Sequence, residues 1–217
     1  MNYSTVIWDI DGTLINSKEG LVSSYHYTID KLNLEKKTDK ELASYIGPTP
    51  QTNFLTHFNM DKISAQAAAD IFREYYKTKD LFKAYVYDGI DYILENLKKA
   101  DIHQAIATNK REDYAIDIIK HFGLDKYFDT IHGADNNNKL TKKDLINNCL
   151  SDLNTRPEET IFIGDSASDG IAAAEAGCQF IAVTYGFGFK NSNDTARFNP
   201  LLTVNNVDEI IKFFKQL

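Results

Sequence analysis

Only two cysteines, Cys149 and Cys178, occur in 217 residues, and neither belongs to a C-x-x-C pair. That scarcity excludes a disulfide framework and a thiolate metal site. The two thiols read as small buried hydrophobes in a reducing compartment. Long apolar runs are missing as well: no stretch approaches the ~20 residues that a membrane-spanning helix needs. The opening residues, MNYSTVIWDIDGT, carry no basic segment followed by an apolar one, so a cytoplasmic location without a secretory leader or membrane partner is expected. Basic excess is absent too. The formal net charge is -7, which argues against a nucleic-acid partner, because such proteins present a basic face. A small anionic substrate would need local compensation from a metal or a few lysines. His26, His57, His103, His121 and His132 show no metal-ligand spacing and read as structural or exposed. What is there is ordinary: 43% apolar and 25% charged residues, in a length that allows one core domain carrying a smaller insertion. Oligomeric state, monomer or dimer, is not legible in the pattern.

Along the chain, Tyr3 to Ile10 is short, apolar and β-branched around Val6, Ile7 and Trp8, then meets Asp-Gly at once, which predicts a buried strand ending in a tight turn. A long aromatic-rich helical region follows, from about Lys18 to Phe82, with Leu21, Tyr25, Ile29 and Leu32 at helical spacing. It breaks at Gly47-Pro48-Thr49-Pro50 and resumes as a helix over Ala67 to Tyr76. From Tyr85 onward the rhythm changes. Ile90 to Leu97 is an amphipathic helix, His103 to Thr108 a buried strand, Tyr114 to His121 a helix stopped at Gly123, and Lys142 to Leu150 another helix. Thr130 and Ile131 suggest a short strand. Thr160 to Ile163 is a strand, Gly170 to Ala176 a helix, Phe180 to Thr184 a strand, and Val207 to Phe214 a last helix. Strand and helix alternation predicts an α/β fold with a Rossmann-like parallel sheet core. The helical block interrupts that alternation just after the first strand. The expected division is a catalytic core of residues 1–14 and 85–217 with a helical cap domain of residues 15–84.

The sharpest feature is Asp9-Ile10-Asp11-Gly12-Thr13. Residues two apart in a strand face the same way, so both carboxylates can approach one point at the strand's C-terminal tip, where open parallel sheets bind ligands. Gly12 lets the backbone turn sharply and come close to a bound group such as phosphate. One carboxylate can attack phosphorus while the other protonates the leaving oxygen and later deprotonates water. Two anions beside a phosphate would repel it, so a divalent cation is needed, and oxygen donors of this kind suit Mg²⁺. Taken alone, D-x-D-G reads equally well as a plain acidic turn.

A second acidic turn, Gly164-Asp165-Ser166-Ala167-Ser168-Asp169-Gly170, closes the strand TIFI. If Asp169 opens the next helix, Asp165 and Asp169 both point to the same sheet edge; the plain alternative for Asp169 is a helix cap. Thr108-Asn109-Lys110 ends another strand, where a hydroxyl and backbone N–H groups can hold phosphate oxygens. Lys142, in KLTKKDLI at a predicted helix start, can supply a cation to this cluster, with Lys139 and Lys143 as competitors.

These four segments, in this order, resemble the haloacid dehalogenase superfamily of phosphohydrolases: WDIDGTL its first motif, AIATNK its second, Lys142 in LTKKDLI its third and IGDSASD its fourth. The insertion resembles the family's helical cap, and IGPTPQTNF and YVYDGI are similar to its phosphoglycolate phosphatase-like branch. The resemblance implies that Asp9 is the nucleophile and an Mg²⁺ ligand. It makes Asp11 the general acid/base, with its backbone carbonyl on the metal. It assigns Thr108, with Asn109 beside it, to the phosphoryl group, and Lys142 to balancing charge. Asp165 becomes a metal ligand, and Asp169 supports the metal or its waters.

The function so implied is hydrolysis of a small phosphorylated metabolite, of phosphoglycolate, nucleotide, sugar phosphate or pyrophosphate type, through an aspartyl-phosphate. Alternatives are a phosphomutase on the same scaffold and a non-catalytic, phospho-accepting signalling domain; the large insertion and the full motif order stand against the latter. Substrate choice would lie in the cap, around Gly47 to Asn53 and at Arg73 or Lys77, although each by itself reads more readily as loop or surface. The cap aromatics Tyr25, Tyr27, Phe54, Phe58, Phe72, Tyr75 and Tyr76 read as its core.

Overall fold

The computed structural model describes residues 3–216; Met1, Asn2 and Leu217, at the outer limits of the expected core, lie outside them. β1 (Thr5–Trp8) is buried along its whole length. Such a continuous apolar run suits a strand covered on both faces, and β1 takes the centre of a six-stranded sheet of order β5-β4-β1-β6-β7-β8. The other strands are β4 (His103–Arg111), β5 (Thr130–Ala134), β6 (Thr160–Gly164), β7 (Gln179–Val183) and β8 (Leu202–Val204), and all five pairings are parallel. The chain moves from β1 outward through β4 and β5, then returns to the other side of β1 with β6. This reversal creates a crevice at the C-terminal ends of the central strands. Trp8 is level with Ile106 of β4 and Ile163 of β6, so the residues just past it emerge together at that edge. Helices α5 (Ile90–Lys99), α6 (Glu112–His121), α7 (Lys142–Asp152), α8 (Ala167–Ala176) and α10 (Val207–Phe214) cover the sheet.

Between β1 and the return to the sheet lie α1 (Lys18–Lys31), α2 (Asp39–Ala43), α3 (Pro50–His57), α4 (Lys62–Tyr75) and a π-helical turn, Tyr76–Asp80. The chain leaves and re-enters through a small antiparallel ladder of β2 (Ile15–Asn16) with β3 (Tyr85–Val86), which holds the two connecting segments side by side. Tyr25, Phe54, Phe72 and Tyr76 are buried, with Tyr25 packed 4.5 Å from Phe72 between ring centroids. The alternating core and the helical insertion are therefore both present.

Several boundaries differ from expectation for local reasons. Helix α4 begins at Lys62 rather than Ala67 because Asp61 accepts from the N–H groups of Ile63 and Ser64 at 2.8 and 3.0 Å, a cap that starts the helix early. Helix α8 starts at Ala167, not Gly170. Strand β4 runs on to Arg111, carrying Lys110 and Arg111 into the sheet edge. The short β8 and α9 (Ser192–Thr195) carry too few residues to show a period.

Candidate active site

The backbone turns immediately after β1. Gly12 holds φ +87°, and a Cβ there would lie 2.2 Å from Asp165 Oδ2, so glycine is required both by conformation and by close approach. The turn presents Asp9 inward, 2% exposed, with its N–H donating to the Ile163 carbonyl at 2.9 Å. Opposite stands the β6–α8 turn. Gly164 permits Asp169 to fold back, since a Cβ on residue 164 would meet Asp169 Cγ at 2.5 Å. Asp169 lies in the first turn of α8 and is not its cap: Ser166 is the cap residue, and its N–H and Oγ donate to Asp169 Oδ2 at 2.9 and 2.7 Å. The outcome for orientation is nevertheless the expected one. One oxygen each from Asp9, Asp165 and Asp169 lies within 4.8 Å of the others, all buried.

Lys142 reaches this cluster from the start of α7. Thr141 caps that helix in a reciprocal pair with Asp144 (2.8 and 3.3 Å), and the cap directs the first helical residue inward. Lys142 Nζ lies 2.9 Å from Asp9 Oδ1 and also contacts Asp169 Oδ1. A lysine at a helix N-terminus opposes the helix dipole; here two buried carboxylates offset that cost. Lys139 is exposed, and its backbone N–H serves an Asp135 turn instead, so Lys142 is the lysine at the cluster.

The electrostatics follow from burial. Desolvation pushes the Asp9 carboxyl up to about 6, Lys142 pulls it back and the neighbouring Asp169 charge pushes it further. Asp165 is pushed up to about 8, first by burial and then by repulsion from Asp169 and Asp9, against the N–H groups of Phe187 and Gly188, which donate to it at 2.6 and 3.1 Å. Burial works against the Lys142 ammonium, but Asp169 and Asp9 outweigh it and raise its pKa. Lys142 contacts two of the three acids, Asp9 and Asp169, and the buried Asp165 Oδ1 has no hydrogen-bond partner. Unmatched hard oxygen donors of this kind fit a small divalent cation.

Asp11 is turned away from this cluster. Its Oδ1 accepts from Ser17 Oγ at 2.5 Å and lies 3.1 Å from Lys110 Nζ. Lys110 is buried and donates to Tyr76 Oη at 2.8 Å, linking the core to the helical insertion. Asn109 makes a second such link, donating from Nδ2 to the Gly47 carbonyl at 2.9 Å. Thr108 is buried at the same edge, its Oγ1 accepting from the Lys110 N–H at 3.2 Å. Asp9 and Asp11 line a cavity of about 50 Å³ together with Thr108, Lys110, Tyr76 and Arg73. Gly47 and Arg73 line it as the sequence suggested, whereas Lys77 is half-exposed and faces Asp113 at 3.6 Å. Tyr25, Phe72 and Tyr76 serve both as packing of the insertion and as cavity wall.

Sequence reasoning passed over Ser17, Arg111 and the segment Tyr185-Gly186-Phe187-Gly188-Phe189. The last carried a usable signal, two glycines directly after a buried strand: a Cβ on Gly186 would meet the Gly12 carbonyl oxygen at 2.3 Å and Asp165 Oδ2 at 2.4 Å.

A family model described as haloacid dehalogenase-like hydrolase matches residues 6–183. A 5'-nucleotidase from Pseudomonas aeruginosa is 30% identical over 87% of this chain and 86% of its own. The tyrosine-protein kinase PtkA of Mycobacterium tuberculosis is 29% identical over 94% of this chain and 70% of its own. A phosphoglycolate phosphatase from Aquifex aeolicus is 27% identical over 95% and 94%. The crystal structure of a predicted phosphatase from Clostridium acetobutylicum superposes with a TM-score of 0.94 at 36% identity, covering 100% of both chains.

Proposed function

Because this chain belongs to the haloacid dehalogenase-like hydrolases, in a phosphoglycolate phosphatase-like branch, and is a phosphatase, we propose that it is an Mg²⁺-dependent, cytoplasmic hydrolase of small phosphate esters working through an aspartyl-phosphate. The observation that carries this reading is the convergence of Asp9, Asp165 and Asp169 on one buried point beside Lys142. Asp9 Oδ attacks phosphorus, and the bond from phosphorus to the leaving oxygen breaks. Asp11, two residues on and lining the same cavity, gives its proton to that oxygen. In the second step Asp11 takes a proton from water as the water oxygen attacks phosphorus, which releases phosphate and frees the Asp9 carboxylate. Thr108 and the N–H groups after Asp9, at the turn that Gly12 permits, hold the phosphoryl oxygens, with Asn109 beside them. Lys142 balances charge on Asp9 and the transferring group.

Mg²⁺ would be held by Asp9, Asp165, the Asp11 carbonyl and, directly or through its waters, Asp169, and would neutralise phosphate charge beside the carboxylates. Residues 15–84 act as a cap over a core of 1–14 and 85–217, and closure keeps bulk water from the intermediate. Among the described residues no helix is long and apolar enough to cross a membrane.

Transfer to a tyrosine hydroxyl is a second reading, favoured only by the kinase relative; the small cavity favours compact substrates. The deciding experiment is phosphate release from a panel of phosphomonoesters and pyrophosphate, with Mg²⁺ and with EDTA. Turnover should require the metal and vanish in Asp9→Asn. Turnover undiminished by EDTA, or by that substitution, would sink the mechanism.

A further inference from the structure

In the lining of the cavity that holds Asp9 and Asp11, two guanidinium groups converge on one neutral oxygen. Arg73, from α4, is 4% exposed. Its Nη1 donates to the Asn136 carbonyl at 3.0 Å and to Asn136 Oδ1 at 3.2 Å, and its Nη2 donates to Gln51 Oε1 at 2.7 Å. Arg111, at the end of β4, donates to the same Asn136 Oδ1 at 3.3 Å, while Asp113 holds its other edge at 2.6 Å through two bonds. Both arginines line the cavity that Asp9 and Asp11 also line.

The charges around Arg73 are unbalanced. Asp70, half-exposed and 3.7 Å away, is the one carboxylate in ion-pair range among the described residues; every hydrogen bond the guanidinium makes goes to an amide oxygen. A buried cation satisfied only by amides is costly, and two cations sharing one neutral acceptor is a poor arrangement unless an anion replaces that acceptor. Burial lowers the Arg73 pKa, Asp70 opposes that shift, and repulsion from Arg111 adds to it. Asn136 belongs to the loop between β5 and α7, so its side chain can yield to a ligand without disturbing a helix or strand.

We propose that Arg73 and Arg111 form the specificity site for a second anionic group on the leaving side of the substrate. The preferred substrates are then compact phosphate esters or anhydrides whose leaving group itself carries a carboxylate or a phosphate. The cavity's small volume, about 50 Å³, agrees with a short spacing between the two anions. The inference rests on the phosphatase reading and adds the substrate class to it.

The test compares kcat/KM for phosphoglycolate and pyrophosphate with that for ethyl phosphate and p-nitrophenyl phosphate, on the Mg²⁺-loaded enzyme. Wild type should favour the anionic leaving groups. Arg73→Gln and Arg111→Gln should each cut that preference ratio by roughly 10- to 100-fold, the effect of losing a charge-assisted hydrogen bond. Arg73→Lys should retain part of it, since charge survives while the two-pronged geometry does not. Whether phosphoglycolate or pyrophosphate leads identifies carboxylate or phosphate as the second anion. An unchanged ratio, or a wild type that prefers neutral leaving groups, would overturn the proposal. A binding arm keeps the two readings separable: calorimetric titration of Mg²⁺-loaded Asp9→Asn with phosphoglycolate and ethyl phosphate needs no turnover. Tighter phosphoglycolate binding that Arg73→Gln abolishes supports the anion site even if the wild type released no phosphate, and equal binding of the two refutes it.

Discussion

Replacing Lys142 by methionine tests whether the buried carboxylates are held together by that single ammonium. The substitution keeps the aliphatic stem, one atom shorter, and removes its charge. At 2.9 Å and an effective dielectric of about 20, the attraction between Lys142 and Asp9 alone is about 6 kcal/mol. Part of that is offset by no longer burying the ammonium. Breaking a buried ion pair by removing one partner generally costs ~3–5 kcal/mol, because the remaining carboxylates keep their desolvation and their mutual repulsion. For a chain of this length that corresponds to a fall in Tm of roughly 6–20 °C. The assay is thermal or urea unfolding in EDTA, so that no metal substitutes for the lost charge, followed by the same measurement with Mg²⁺ added. Mg²⁺ should recover a larger share of stability in Lys142→Met than in wild type. Asp169→Asn in the Lys142→Met background should be milder than either change predicts alone, since the repulsion is then relieved. A Lys142→Met protein as stable as wild type in EDTA would refute the picture of one ammonium holding the buried Asp9 and Asp169 together.

Three further outcomes follow from the site. In metal-free protein, Asp165 titrates near 8 and Asp9 near 6 in the fold, both above their ordinary value of 3.8. The native state therefore binds more protons than the unfolded chain between pH ~4 and ~8, and stability falls as pH rises through that window. The gain in Tm on adding Mg²⁺ should accordingly grow from pH 5 to pH 8, and a gain independent of pH would contradict it. Asp11→Asn should lower kcat by about 10²–10⁴-fold, the usual share of general acid/base catalysis, and should also lower the metal-free Tm, because the buried Lys110 ammonium 3.1 Å away loses its carboxylate partner; rapid-quench phosphate release and calorimetry check both halves. Gly12→Ala should cost at least about 1–2 kcal/mol from its left-handed backbone, and its methyl would displace Asp165, where a Cβ comes within 2.2 Å. Mg²⁺ affinity measured by titration should fall with it.

The sequence by itself determined the α/β class, the insertion after the first strand and three of the acids expected to meet, Asp9, Asp165 and Asp169; Asp11, expected beside Asp9, faces Ser17 and Lys110 instead. Each of these rests on local grammar. Val6 to Trp8 and Ile161 to Ile163 are apolar runs short enough to be buried strands, and an acidic residue followed closely by glycine at a strand end can only emerge at the sheet's C-terminal edge. Because the strands are parallel and β1 sits between β4 and β6, residues 9, 108 and 165 arrive at one place although some hundred and fifty positions separate the first from the last. What only the tertiary structure decided is which cations answer them. Only the family resemblance favours Lys142 over Lys139 in a lysine-rich stretch until the Thr141 cap fixes which one faces inward. Lys110 reads as one more charged residue until β4 extends far enough to set it between Asp11 and Tyr76. Arg73 and Arg111 belong to segments with no common periodicity, and their convergence on Asn136 exists only once the insertion has folded down over the sheet. Strand and helix signals are carried by neighbours in the chain, whereas the placement of a long, flexible cationic side chain is settled by packing among residues far apart in sequence.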